Sequence, residues 1–460
     1  MAGSLEFGRP QFRAYGCRNL HLLPQWRTLS RDQQTAIEAV SAVLPFRVND
    51  YVLSELIDWS NIPNDPIYQL TFPQAGMLEP TDFSRLVDFV IKEEPEALKR
   101  AARRIQRRMN PHPAGQMDLN VPVMGGELLT GFQHKYRETL LFFPSQGQTC
   151  HAYCTYCFRW PQFVGIEELK FASHEVETLS AYVETHTEIS DVLITGGDPM
   201  IMSTKVLRKY VSALLNPRFD HLSSIRIGTK ALSYWPYRFL TDPDADDLLR
   251  LFEQVRNTGR QLALMAHFSH PRELETDACR EAMRRITETG AVIRCQAPLI
   301  RHVNDDVGVW AEMWRAQVRL GAVPYYFFVE RETGPNHYFE VPLARARKIF
   351  NSAYSQVSGL ARTVRGPCMS AAPGKVEIVG VTEIGGERVF VLKMIQGRDP
   401  SWTGRVFFAQ FDSQAVWLND LEPAQGEAEF FFARSMRHMK DGLWRPDWQH
   451  GDFDDETASA

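Results

Sequence analysis

Cys150-His151-Ala152-Tyr153-Cys154-Thr155-Tyr156-Cys157 is the stretch whose reading decides this fold. It follows an apolar, strand-like run, Leu140 to Pro144, and a polar loop, Ser145 to Thr149. Three thiolates spaced i, i+4, i+7 can hold three irons of a [4Fe–4S] cluster. The fourth iron is then left without a protein ligand, open to a small chelating molecule. The competing reading is one face of a buried helix, because free cysteine is a common core residue. Clustering favours the metal: of seven cysteines in 460 residues, the other four (Cys17, Cys279, Cys295, Cys368) are scattered singly.

Beyond the run a regular alternation continues. Short apolar stretches that read as buried parallel strands occur at Thr139–Phe143, Asp191–Thr195, Ser224–Gly228, Gln261–His267, Ala291–Gln296 and Pro324–Val329. Segments of helical periodicity lie between them, at Ser173–Glu188, Thr204–Leu215, Pro243–Thr258, Glu273–Glu288 and Val307–Leu320, and another, Leu343–Val357, follows the last strand. Strand-then-helix units of this length predict an α/β fold with right-handed crossovers. Six units suggest a partial (β/α)6 barrel over 133–360 rather than a closed eight-fold one. A helical, loop-rich region precedes it over 1–132. A β-rich region follows over 361–450, with a hairpin from Val376–Ile384 and Glu387–Ile395 and further strands at Gly404–Phe411 and Ala415–Leu421. The acidic, small-residue tail 451–460 is expected to be disordered. Ligands of such folds gather at the carboxyl ends of the strands. There the sequence puts the cysteine run, Gly196-Gly197-Asp198, Thr229-Lys230, His267, Gln296 and Glu330-Arg331.

Composition excludes several classes. Hydrophobic residues at 44% and charged residues at 23% are those of a globular protein with ample core. A net charge of −5 offers no general attraction to nucleic acid or anionic lipid. No stretch approaches a membrane span, and residues 1–20 lack the uninterrupted apolar segment of a secretory signal. Unpaired cysteine usage fits a reducing cytoplasm. The one basic run, Arg100 to Arg108, reads as a solvated helix face.

With these residues assembled, the chain resembles the lysine 2,3-aminomutase family of radical S-adenosylmethionine (SAM), pyridoxal-phosphate (PLP) enzymes. The resemblance spans roughly 65–380. It rests on His134-Lys135-Tyr136, the cysteine run with Phe158-Arg159, Thr195 to Pro199, Arg226-Ile227-Gly228-Thr229, His267 to Pro271, Val303-Asn304-Asp305, Pro324-Tyr325-Tyr326 and Ala372-Pro373-Gly374-Lys375. It implies a [4Fe–4S] cluster on Cys150, Cys154 and Cys157, with SAM met by Gly196, Gly197, Asp198, His267 and Gln296. It implies PLP tethered through the Lys375 amine. Lys135, Arg137 and Lys230 occupy positions where the family presents basic side chains to the PLP phosphate. Arg159 matches the arginine for the substrate carboxylate. The implied reaction moves the amino group of a free amino acid from C2 to C3, an isomerase activity. It needs an electron donor such as flavodoxin or ferredoxin, and an assembly of like subunits is expected.

Substrate identity departs from the lysine pattern. Lysine-specific members bind the distal ammonium with two aspartates. Counting from Pro324 puts Arg331 at the first position, and counting back from Gly334 puts Glu330 there. No acid lies between Arg362 and Lys375 to serve as the second. If Arg331 points inward, an acidic substrate such as glutamate or aspartate fits better than lysine; another non-lysine amino acid is the wider alternative. Other functions consistent with the motifs are an elongation factor P lysine-modification maturase, a non-isomerising radical SAM enzyme, and a non-enzymatic iron–sulfur protein. No counterpart of the zinc-binding cysteines found near the C-terminus of some members follows Cys368.

Overall fold

Apolar strands flanked by amphipathic helices bury one face under the helices and leave the other to be used. The computed structural model describes residues 7–109, 118–165, 171–442 and 446; the tail 451–460, expected to be disordered, lies outside them. One eleven-stranded sheet organises these residues, its strands neighbouring one another in chain order. They are β1 Phe132–Tyr136, β2 Thr139–Phe142, β3 Asp191–Ile194, β4 Ser224–Thr229, β5 Gln261–His267, β6 Val292–Leu299, β7 Val323–Val329, β8 Arg365–Ser370, β9 Gly374–Ile384, β10 Glu387–Gly397 and β11 Val406–Gln410. From β2 to β8 every pairing is parallel. β1 is antiparallel to β2, and β8 to β11 continue antiparallel.

The six expected strands are present, and β8 adds a seventh parallel one. Its sequence, Arg-Gly-Pro-Cys-Met-Ser, contains the residues least suited to a central strand, so it reads as loop. The helix Leu343–Tyr354 is consequently another crossover, not a terminus. The hairpin is β9–β10, and β11 is the first of the two further strands expected. The second, Ala415–Leu421, is not a strand: a short turn of 3-10 helix, Leu418–Asp420, interrupts it.

The alternation of the parallel strands sorts their side chains. Leu140, Phe142, Val192, Ile194, Ile225, Ile227, Leu262, Leu264 and Ile293 are buried in one core cluster with the crossover helices. The intervening positions carry Asp191, Arg226, His267, Arg294 and Gln296, all partly exposed. That second face is concave. Lys135 on β1 donates its Nζ hydrogen bond to the carbonyl of Ala371, just past β8 (2.5 Å). Across seven strand spacings a flat sheet would hold those residues roughly 30 Å apart, so the sheet curls until its far strands meet.

The N-terminal region forms a second core, packed on Ala152, Tyr156, Trp160, Tyr234 and Trp235. It therefore covers the cysteine loop. The basic run lies on the helix Pro95–Arg108, where Ala101, Ala102, Ile105 and Gln106 are buried and Arg103, Arg104 and Arg107 are exposed, as a solvated face requires.

After β3 the chain turns at Gly196-Gly197-Asp198 directly against the loop that leads into Cys150. A Cβ on Gly197 would lie 2.6 Å from both the backbone N and O of Thr149. The Asp198 N–H reaches the carbonyls of Gly147 (3.0 Å) and Thr149 (2.7 Å). Replacing Gly197 with Ala should force the two loops apart and destabilise the fold by about 1–3 kcal/mol, the usual scale of overpacking. Thermal unfolding checks it: an unchanged melting temperature in Gly197→Ala would show that this apposition is not needed.

Candidate active site

The cysteine loop is irregular, so the helix-face reading of the three thiols does not hold. Irregular backbone needs outside hydrogen-bond partners, and the N-terminal region supplies them. The N–H of Tyr153 donates to Arg47 O (2.8 Å) and that of Thr155 to Leu70 O (2.9 Å). Asn49 Nδ2 donates to His151 O (3.2 Å) and to Tyr234 O (2.9 Å). The Tyr234 hydroxyl in turn lies 3.2 Å from Cys154 Sγ. Burial pushes the Cys157 thiol up to about 12, and the neighbouring Cys154 adds to it. Cys150 is raised well above the ordinary thiol by burial, then by Asp198, Cys157 and Cys154. The three thiols are thus electrostatic neighbours in a low-dielectric pocket. Among the described residues no three His, Cys, Asp or Glu converge on one ion. A four-iron cluster takes one thiolate per iron, at separate corners, so spaced thiols are the arrangement it needs. The donor set fits that group.

Asp198 is buried and its carboxylate is occupied. It accepts from the Thr229 hydroxyl (2.7 Å) and from the N–H groups of Lys230 (2.8 Å) and Met200 (2.9 Å). Burial still raises the carboxyl to about 6. Its side chain ties the end of β4 to the turn after β3. The close approach that Gly197 allows is to the cysteine loop, where bare backbone facing a ligand was expected. At the end of β5, His267 Nε2 lies 2.8 Å from Gln296 Nε2, joining two of the expected SAM residues. Burial lowers that imidazole to about 3, so it is neutral.

Of the three basic residues expected beside PLP, the structure brings only Lys135 to Lys375. Lys230 Nζ pairs with the wholly buried Glu273 (2.5 Å) and packs on the Tyr234 ring (4.6 Å), on the Cys154 side. Sequence reasoning missed Glu273, which neutralises this lysine. Arg137 is exposed in the turn between β1 and β2. Lys135 is buried, and desolvation, with Arg398, Arg331 and Lys375 nearby, holds its amine well below the ordinary lysine range.

Lys375 opens β9 opposite Ser370. A Cβ on Gly374 would lie 2.1 Å from Gln396 O, so only glycine lets the turn close here. The buried Arg398 clamps the same turn, donating to Ala372 O (2.8 Å), to Leu119 O (2.9 Å) and to Asn120 Oδ1. Lys375 Nζ donates to Gln396 Oε1 (3.1 Å) and sits between the rings of Tyr136 (5.2 Å) and Tyr326 (4.9 Å). Burial lowers this amine to about 8, and Arg226 and Arg365 push in the same direction. An aromatic slot around a lysine of lowered basicity fits an aldehyde cofactor bound through that amine.

Arg159 and Arg331 share one ring. Their guanidinium carbons lie 5.6 and 4.4 Å from the centroid of Phe158, and Arg159 also lies 4.0 Å from Phe143. In each, Nη1 is buried without a hydrogen-bond partner. Both residues of the Glu330–Arg331 register turn inward, Arg331 onto Phe158. Glu330 is buried toward Cys157 and Tyr156, and desolvation holds its carboxyl well above the usual range. The Arg159 and Arg331 guanidinium groups each keep an unsatisfied N–H group of the kind a carboxylate oxygen would accept from.

No family model matches the chain. Individual proteins do. An Aquifex aeolicus protein provisionally named L-lysine 2,3-aminomutase is 32% identical over 393 residues, covering 85% of this chain and 91% of that one. The L-lysine 2,3-aminomutase of Clostridium subterminale is 25% identical over 338 residues, covering 73% and 69%. Among solved structures, a radical SAM methyltransferase from Sphaerobacter thermophilus overlaps 49% of this chain and 65% of its own at 15% identity, with a TM-score of 0.36. Streptococcus suis SuiB overlaps 67% and 65% at 11% identity, with a TM-score of 0.32. Neither overlap is extensive enough to carry an argument; the sequence relatives are. At 32% identity over 91% of its Aquifex relative's length, this chain belongs to the L-lysine 2,3-aminomutase family.

Proposed function

We propose that this chain is a radical SAM, PLP-dependent 2,3-aminomutase acting on a free amino acid with an acidic side chain, glutamate or aspartate. Family membership implies an isomerase of the aminomutase type with a [4Fe–4S] cluster, SAM and PLP as cofactors. One observation carries the substrate assignment: Arg331, at the position that counting from Pro324 aligns with an ammonium-binding aspartate, is a partly buried arginine beside Arg159, and each has a buried, unpartnered Nη1. A second ammonium there would be repelled; a second carboxylate would be held.

When bound, the cluster, SAM and PLP supply the radical chemistry that shifts an amino group between adjacent carbons. Cys150, Cys154 and Cys157 would hold the cluster, and Lys375 the PLP. Gly196, Gly197, Asp198, His267 and Gln296 form the wall nearest the cysteine loop on which SAM would lie, with Asp198 acting through the turn it ties down. Arg159 takes the α-carboxylate and Arg331 the side-chain carboxylate. Because both ride on Phe158, one rigid ring sets the spacing of the two carboxylates and hence the orientation of the carbons between them. Tyr136 and Tyr326 flank the Lys375 amine and keep water from it. We read the curled sheet as the partial barrel of the radical SAM fold, between a helical region ending near 132 and a β-rich one starting near 361. An external electron donor such as flavodoxin or ferredoxin would serve the cluster. Among the described residues no helix is long and apolar enough to cross a membrane.

Reconstituted enzyme offered a panel of amino acids should convert glutamate or aspartate to the β-amino acid, read by mass spectrometry; turnover of lysine alone would sink the acidic assignment. Arg331→Ala should lower kcat/KM for the acidic substrate roughly 10- to 150-fold, the worth of one charged hydrogen bond of about 1.5–3 kcal/mol. The lowered basicity of Lys375 has a separate consequence. Only a neutral amine attacks an aldehyde, so PLP loading of apo-protein should accelerate with rising pH and level off near 8, where a lysine at its ordinary 10.5 would continue to accelerate. The growth of the lysine-linked absorbance band, lost in Lys375→Ala, reports the rate.

A further inference from the structure

A phosphate carried into this site needs a cationic seat, and the residues the family pattern suggested do not complete one: Lys230 is paired with Glu273, Arg137 is exposed, and Lys135 is a single point charge already hydrogen-bonded to Ala371 O. Arg226 is also committed, its Nε donating to Asp191 Oδ1 (2.8 Å) and its Nη2 to the other oxygen. Two further arginines on the concave face are not committed. Arg294 lies on β6, two residues before Gln296 and on the same face. Arg365 begins β8 opposite Tyr326. Their guanidinium carbons lie 5.1 and 4.6 Å from the centroid of one ring, Tyr325, and Arg365 lies 4.3 Å from that of Tyr326. Neither guanidinium forms an ion pair or hydrogen bond with another described residue.

Lys375 Nζ rests on the same Tyr326 ring, at 4.9 Å. Amine, aromatic face and guanidinium pair therefore follow one another from contact to contact: Lys375, Tyr326, Arg365, Tyr325, Arg294. We propose that Arg294 and Arg365 seat the PLP phosphate, with the pyridine ring against Tyr326 and the aldehyde at Lys375. The inference rests on the PLP reading above and names the residues that complete it. Two like charges sharing a ring inside a cavity repel each other, and a dianion between them turns that repulsion into attraction. Arginine's planar fork matches phosphate oxygens two at a time, where a lysine offers a point charge. The assignment also divides the cavity: this pair lies on the Tyr326 side of Lys375, and Arg159 with Arg331 on the Tyr136 side, toward the cysteine loop. Cofactor phosphate and substrate carboxylates then do not compete for one seat.

The test compares PLP with pyridoxal, which lacks only the phosphate, binding to the full-length, cluster-reconstituted protein and read by the lysine-linked absorbance band. Wild type should bind PLP about 100-fold or more tightly than pyridoxal, the worth of two charge-assisted hydrogen bonds. In R294Q/R365Q the preference should shrink to within about threefold, while iron content and melting temperature stay at wild-type values. Added inorganic phosphate should strengthen pyridoxal binding in wild type and not in that variant. R365K, which keeps charge but loses the fork, should fall between. An undiminished PLP preference in R294Q/R365Q would overturn the assignment, as would variants that raise KM for the amino acid while leaving the preference intact. If wild type binds both compounds without discrimination, the phosphate seat alone fails; if it forms no lysine-linked band with either, the PLP reading itself has failed.

Discussion

Side chains alternate across a strand, and in the seven parallel strands here the two faces are unequal. One carries leucine, isoleucine, valine and phenylalanine into the core under the crossover helices. The other carries Asp191, Arg226, His267, Arg294 and Gln296, which no apolar core could accept. A closed barrel fills its interior with bulky side chains; a concave face lined this way is polar instead. Curling brings β1 to the far side of β8, where Lys135 meets Ala371, and Arg398 locks the turn that delivers Lys375. The site is a consequence of that curl, because Tyr136 and Tyr326 could not otherwise flank one amine.

Charge inside the cavity follows a simple rule. Arg226 with Asp191, and Lys230 with Glu273, are neutralised by the protein. Arg159, Arg331, Arg294 and Arg365 are left with aromatic faces for support. A cation on a ring gains a modest attraction, far less than a carboxylate or phosphate would give in the same surroundings. On the proposals made above, these unneutralised forks are the seats for the substrate carboxylates and the cofactor phosphate.

The cysteine loop is built from parts distant in the chain. Its backbone is held by Arg47, Asn49 and Leu70, its approach is shaped by Gly197, and the Cys154 sulfur meets Tyr234. Hydrogen bonds to cluster sulfurs and the surrounding apolar shell are among the levers that set an iron–sulfur centre's properties. The N-terminal region that supplies the loop's partners is therefore part of the site, although its own sequence carries no recognisable motif.

Much of this was readable from the chain alone. Thiol spacing, the apolar periods of six strands and their helices, the hairpin of Val376–Ile384 with Glu387–Ile395, and a lysine closing a Pro-Gly turn are local patterns, and local patterns survive in one dimension. The seventh parallel strand was not readable, because Arg365, Gly366 and Pro367 are poor strand formers made acceptable only by the neighbours that pair with them. Arg294, two residues before Gln296 in the strand Val292–Leu299, is a local signal of a polar concave face. Pairing of charges is a different matter. Whether Lys230 is free or bound to Glu273, 43 positions away, and whether Arg331 turns toward Phe158, depends on distances that exist only once the sheet has curled. Residue types and spacing determined which chemistry the protein can host; electrostatics, falling off with distance in space and blind to separation along the chain, left to tertiary structure the choice of which charges meet a ligand.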